Sequence, residues 1–385
     1  MVLGIIISVS LYITDSQTAE MQLLCQNTNV KKHSVSIDLI RVIAILGALF
    51  IHLTYPIYAR PDFFGGTTWW LTTVISAFSR ISIPLFIILS GYLLLPKYES
   101  WATTQGRLVH RLLVPFAFWF GFYLAWDSLF FHRTNSLLEI PILLYQSNTY
   151  HLYFLLILTG LYFLLPMLRL IFVHLENHYI KVLLNVGFVA GVLMYFVPYG
   201  LIRDQAQFNI FTAWVPYLGY FLFGGFLATK KPPAPKWLIW IVLASFFTTI
   251  ALSAYAVGFR ETTTAWLWRS HGVAFVDEYL SPQIIVFALS FFWLMVSLPT
   301  NFYLFKNVLV SRLLRQLAKA SFGAYLIHVL VLNVLDFRFD LALDAYPGSL
   351  LQYFLIRSSL CLILSFGLSW LLLQIPWVKK VFGEN

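Results

Sequence analysis

The sequence predicts an all-α integral membrane protein of about ten transmembrane helices with both termini in the cytoplasm, and three observations carry that expectation. Of 385 residues, 60% are hydrophobic and 11% charged, whereas soluble domains carry about 25% charged residues. Apolar windows of about 20 residues, the length that crosses a hydrocarbon core, recur near 37–57, 73–95, 112–131, 150–172, 180–200, 210–229, 237–257, 281–299, 320–340 and 350–375. The basic residues also sort by side. With the N-terminus inside, 17 of the 25 lysines and arginines flank the inner ends, seven the outer ends, and Arg80 lies within the second window, the bias that orients membrane proteins.

Two units are expected: a tail over residues 1–34 and one membrane domain over 35–385. The opening MVLGIIISVSLYI is apolar but too short to span, and lacks the basic start and small-residue cleavage site of a secretory signal. It reads as a tail, or as the product of a start upstream of Met21. Cys25 and Cys361 make no disulfide framework. The net charge of +9 would suggest nucleic acid in a soluble chain, but here it belongs to the inner loops and implies no such partner. Lys230–Lys236 (KKPPAPK) reads as a stiff inner loop. The outer loops combine carboxylates with aromatics, as in Asp62 with Trp69 and Trp70, Glu139, Asp204, the 258–280 stretch, Asp336, Asp340 and Asp344. Such loops suit a hydroxyl-rich sugar, and more readily still an interfacial aromatic belt with solvated charges.

The first window holds Asp38, Arg41 and His52. Arg41 and His52 stand eleven positions apart, which at about 100° per residue gives nearly the same azimuth roughly 16 Å along a helix. An arginine near mid-membrane costs about 2.5–3.5 kcal/mol. This stripe therefore faces protein or water. The second window holds Arg80, with Asp62 or an anion as its expected partner, then Pro84, able to kink the helix, and Ser90 with Gly91. Before the third, Arg107 and Arg111 at i and i+4 flank His110, a spacing that grips phosphates or simply anchors the inner face. The fourth opens on Tyr150, His151 and Tyr153, and the ninth carries Ser321, Tyr325 and His328. An isolated membrane histidine more often packs than reacts. Imidazole nevertheless titrates near neutrality and can take a hydroxyl proton, whereas arginine orients anions.

These residues resemble the acyltransferase 3 family of polytopic membrane O-acyltransferases. The likeness rests on DLIRV with Arg-x10-His (Asp38, Arg41, His52), SRISIPLFIILSGYLL, RLLVP, YHLYFLL with the later Pro166, and SFGAYLIH. It covers helices one to four and nine, while five to eight match only in hydropathy. Two departures stand out: Arg107 and Arg111 are four apart where the family commonly has Arg-x-x-Arg, so only Arg111 maps cleanly, and Tyr153 replaces a commoner Trp. Within the family the chain is most similar to bacterial O-acetyltransferases of envelope polysaccharides.

The resemblance implies a multi-pass protein of the bacterial inner membrane with acetyl-CoA as co-substrate, no permanently bound cofactor and no metal. Its partners would be the acyl-CoA donor, a glycan or glycolipid acceptor and the bilayer. His52, Arg41 and Asp38 would form the catalytic set. Arg80, Ser90, Arg107, Arg111, His151, Tyr153, Tyr325 and His328 would bind substrates. Arg111, assisted by Arg107, would hold CoA phosphates inside; Arg41, paired with Asp38, would line the donor path; His52 would be general base or acyl carrier. A secondary transporter or glycan exporter also fits intramembrane Arg and His, although no inverted repeat is visible and carboxylates within the spans are scarce. A non-catalytic partner of a glycan assembly system would make the polar stripe structural.

Overall fold

The computed structural model describes residues 34–97, 99–131, 148–174, 176–197, 212–258, 278–299 and 307–383. The tail expected over 1–34 lies outside them apart from Ser34, as do Cys25, Glu139, Asp204 and nearly all of the 258–280 loop. Among the described residues every regular element is helical. The α-helices are α1 (Val35–Tyr58), α2 (Thr67–Ser79), α3 (Ser82–Leu94), α4 (Trp101–Leu108), α5 (Val114–Phe131), α6 (Tyr153–His174), α7 (Asn177–Val197), α8 (Leu218–Lys230), α9 (Leu238–Gly258), α10 (Pro282–Val296), α11 (Val308–Arg338) and α12 (Leu350–Leu372).

Each of the ten apolar windows thus holds a helix. Among the described residues, seven stretches are long and apolar enough to cross a membrane: Val35–Tyr58, Thr67–Leu94, Trp101–Phe131, Tyr150–Phe172, Leu238–Gly258, Val308–Arg338 and Leu350–Leu372. The apolar runs of α7 (His178–Met194) and α10 are shorter, and α8 has only 13 residues.

Two windows are built differently from expectation. The second is broken at Arg80–Ile81 rather than kinked at Pro84. Proline lacks the N–H that would bond the carbonyl four residues back, so Pro84 frees the Arg80 carbonyl and the interruption falls one turn earlier. The third begins near Trp101, not 112, and runs through a π-helical turn at Val109–Leu113. Arg111 lies inside that wider turn and Arg107 before it, so their separation is not the simple i, i+4 spacing of an α-helix.

α1 is the axis of the bundle, packed against α2, α3, α10, α11 and α12. Ile40, Ala44, Ile45, Leu49 and Leu53 are all fully buried on it. α3 and α8 approach so closely that a Cβ on Gly91 would strike the Phe221 carbonyl, and one on Gly224 the Ile88 carbonyl. Glycine is required there for proximity, as in other tight membrane helix pairs.

Polar clamps fix the ends of helices whose terminal carbonyls lack intrahelical partners. Buried Arg169 on α6 donates to the Leu94 carbonyl at the end of α3 through Nε at 3.2 Å and Nη2 at 3.1 Å, and to Thr104 Oγ1 on α4 at 3.0 Å. Arg357 near the start of α12 makes a two-pronged pair with Asp336 of α11 at 2.9 and 2.7 Å. Arg60, after α1, bonds exposed Asp344 at 2.9 Å, which raises the affinity of its guanidinium for its proton. The 3₁₀ turn Val378–Phe382 buries Val378 and Phe382, receives the Trp119 Nε1–H at the Val381 carbonyl at 3.1 Å, and leads to Gly383 against the Arg111 backbone.

Replacing Gly91 or Gly224 by alanine forces α3 and α8 apart. Each change should lower stability by about 1–3 kcal/mol in thermal unfolding of the protein in bilayers. Gly121→Ala, where nothing stands within 4 Å of the new Cβ, should be close to neutral in the same measurement.

Candidate active site

The polar residues of α1 form two stations. Near its start, the Arg41 guanidinium lies 3.5 Å from Asp38. Asp38 is buried while the Arg41 side chain keeps 32% of its surface exposed, so the cation is held from below yet reachable from the side. Beyond Asp38, Tyr162 of α6 and Arg111 act electrostatically on Arg41. Arg111, exposed on the π turn, has no ion pair among the described residues. A turn that interrupts the helix ladder and presents a free cation is a common device at functional sites.

Arg107 is placed otherwise. It pairs with Glu99, which also lies 3.4 Å from Arg169. Glu99 engages Arg107 directly, which leaves Arg111 as the anion-seeking group of the expected pair without an ion pair among the described residues.

The second station is an aromatic and imidazole cluster built by four elements. His52 of α1 meets the Tyr150 ring edge-on at 5.0 Å between centroids and the His328 ring of α11 at 5.3 Å, with planes only 28° apart. His151, from the 3₁₀ turn Tyr150–Leu152, meets His328 at 5.1 Å, Tyr123 of α5 at 5.1 Å and Tyr325 at 5.6 Å. Three histidines predicted one by one are therefore one site. They differ in access: His52 is half-buried, whereas His151 and His328 retain 2% and 0% of their surface.

The hydrogen bonds around the cluster fix its frame and leave its working ring loose. His328 Nδ1 lies 2.5 Å from the Tyr325 carbonyl. A carbonyl only accepts, so Nδ1 carries the proton and Nε2 is a bare lone pair, buried without a hydrogen-bond partner. The Tyr325 hydroxyl donates to the His151 carbonyl. Tyr123 donates to the Leu326 carbonyl at 2.7 Å and accepts from the Leu330 N–H at 3.2 Å. Buried Asp127, one turn beyond Tyr123 on α5, accepts from the Asn148 N–H at 3.2 Å and from its side-chain amide, pinning the turn that carries His151. The backbone of Leu326 and Asn148 approaches the His151 ring, but neither ring nitrogen has a well-formed hydrogen bond. His52 itself makes no hydrogen bond among the described residues.

The remaining predicted residues lie apart from both stations or serve the frame. Arg80 is buried at the break between α2 and α3, donates to the Tyr58 hydroxyl and stacks over that ring at 5.6 Å. Asp62, its expected partner, instead sits 3.8 Å from Arg60 on an exposed turn. Ser90 donates to the Phe86 carbonyl of its own helix at 2.8 Å. Tyr153 starts α6, half-buried beside the cluster. Tyr325, expected to touch substrate, spends its hydroxyl on the turn.

Sequence reasoning missed Tyr123, Glu99, Arg169 and the inward placement of Arg357. Tyr123 is masked by the surrounding aromatics of FAFWFGFYLAW. Arg357 carried a readable signal, since it lies eight residues into an apolar window yet is 5% exposed beside Tyr353 and Asp336.

The arrangement can hold an anion at one end of α1 and accept a proton from a hydroxyl at the other. Neither a curated protein nor a solved structure matches the chain. A family model described as an acyltransferase domain matches residues 34–374, which takes in both stations and every helix from α1 to α12. The protein is therefore a multi-pass membrane acyltransferase belonging to the acyltransferase 3 family.

Proposed function

We propose that the protein is an O-acetyltransferase of the bacterial inner membrane that moves an acetyl group from cytoplasmic acetyl-CoA to a hydroxyl of a cell-envelope glycan or glycolipid. The observation that carries this reading is the division of α1 into a reachable cation at one end and an untethered, half-buried imidazole at the other. Arg111 takes the donor's phosphates at the inner face. Arg107, already satisfied by Glu99, acts there through the Glu99–Arg169 clamp rather than as a second phosphate ligand. The pantetheine arm passes Arg41, held by Asp38, and brings the thioester toward His52.

His52 then acts as general base. Its lone pair takes the acceptor hydroxyl proton as the oxygen attacks the thioester carbon; the C–S bond breaks, and the proton returns to the departing thiolate. The products are an ester and free CoA. A positioned base contributes about 10²–10⁴-fold to such a step. The acceptor approaches from the outer side, where Tyr150 and Tyr153 offer aromatic surfaces to the C–H face of a sugar. Both termini are cytoplasmic in this orientation.

In bilayers containing the purified protein, radiolabelled acetyl-CoA and a candidate envelope glycan, His52→Ala should reduce transfer at least about 100-fold while remaining folded. Undiminished transfer by that variant would sink the mechanism. Arg111→Ala should raise the KM for acetyl-CoA about tenfold, the loss of one charge-assisted contact, with kcat little changed; an unaltered KM would place the donor phosphates elsewhere. A reporter inserted at residue 233, between α8 and α9, should be protected from reagents outside the cell, and labelling there would reverse the orientation.

A further inference from the structure

His328 is out of reach of any substrate, at 0% exposure, yet one of its nitrogens is arranged for a partner it does not have. Nδ1 is tied to the Tyr325 carbonyl at 2.5 Å, and the Tyr325 hydroxyl is itself bound to the His151 carbonyl. The ring is wedged further by His151 at 5.1 Å. It therefore cannot turn over, and Nε2 stays a lone pair with no hydrogen bond. A buried acceptor of this kind is destabilising when left unmet.

The group placed to meet it is His52. Two imidazoles joined by an N–H to N hydrogen bond of about 3 Å, with roughly 1 Å from each ring centre to its nitrogen, have centroids about 5 Å apart. The observed separation is 5.3 Å, and the planes lie within 28°. Closing the bond requires the untethered His52 ring to rotate so that one N–H points at Nε2. Tyr150, 5.0 Å away, limits that rotation by packing against the ring.

We infer that His328 is the positioning residue of the site, receiving a hydrogen bond from His52 at Nε2 and thereby fixing the His52 tautomer so that its other nitrogen presents the lone pair. This rests on the reading of His52 as the base. The resulting chain runs from the His52 N–H to His328 Nε2, and from the His328 Nδ1–H to the Tyr325 carbonyl. It is a base with an orienting third group, built from a second imidazole and a backbone carbonyl. When His52 takes the acceptor proton, the positive charge is shared with His328 through the inferred hydrogen bond. The same proton returns to the thiolate, and the pair ends neutral.

The test reads His52 directly and needs neither donor nor acceptor. Diethyl pyrocarbonate acylates unprotonated imidazole, and mass spectrometry of the full-length protein in bilayers gives a rate at each histidine. His328→Met and His328→Gln have nearly equal shape and both lose the tie to Tyr325, but only glutamine places an acceptor oxygen near the Nε2 position. His52 should react about tenfold more slowly in His328→Met, within the usual range for loss of an orienting partner, and regain most of its rate in His328→Gln. Exposed His110 and His178 should keep their rates in every variant.

Wild-type reactivity of His52 in His328→Met, or equal slowing in both variants, would overturn the proposal. Reaction at His151, 2% exposed in the native protein, would mark a variant whose cluster has opened, and the Gln against Met comparison then decides. Acetyl transfer is not measured, so a protein that failed as an acetyltransferase would still report on the His52–His328 pair.

Discussion

A polar face inside a hydrocarbon core must be answered by protein, and this bundle is organised around answering the one on α1. An ionised or hydrogen-bonding group left to lipid costs several kcal/mol. α1 avoids that cost by standing at the centre, with α2, α3, α10, α11 and α12 around it. Asp38 meets Arg41 at one end, and His328 and Tyr150 enclose His52 at the other. The glycine-mediated approach of α3 and α8 and the Arg169 and Arg357 clamps hold that surrounding wall at the spacing the polar face needs.

The two ends of α1 are answered in different ways, and the difference matches the chemistry assigned to them. At the Arg41 end the partners are charges, and one cation, Arg111, is left over. At the His52 end the contacting partners are rings, those of Tyr150 and His328, with the cations Arg80 and Arg357 farther off. In the proposed mechanism the base is controlled by which nitrogen holds its proton, with no carboxylate in contact with it. Asp127, buried close to the cluster, spends its oxygens on Asn148 instead.

The cost of charge in membrane made α1 legible from sequence: Asp38, Arg41 and His52 stand out because hydrocarbon tolerates few such residues. The helical class and the ten apolar windows were legible for the same reason. What could not be read was adjacency. His52, His151 and His328 lie on segments far apart in the chain, and periodicity assigns each a face without naming the neighbour across it. The break at Arg80 was hidden because proline acts four residues upstream of itself. The spacing of Arg107 and Arg111 looked like a pair because a π turn has no reliable sequence mark. Glu99, which divides them into a paired and a free cation, lies only eight residues before Arg107, but in the link ahead of α4, where helical spacing does not pair it with Arg107.

The contact between α1 and α11 also has a bearing on how the protein is made. α1 is synthesised first among the described helices, whereas α11, which carries His328, and α12 with Arg357 come last. Through most of translation the polar face of α1 therefore lacks the side chains that complete its surroundings in the finished bundle. The nascent helix must be sheltered by its early neighbours α2 and α3, or by the insertion machinery, until the ribosome has nearly finished. Assembly of the His52 station is thus a terminal event in biogenesis, and a chain arrested before α11 would carry α1 without the His328 and Tyr325 side of that station.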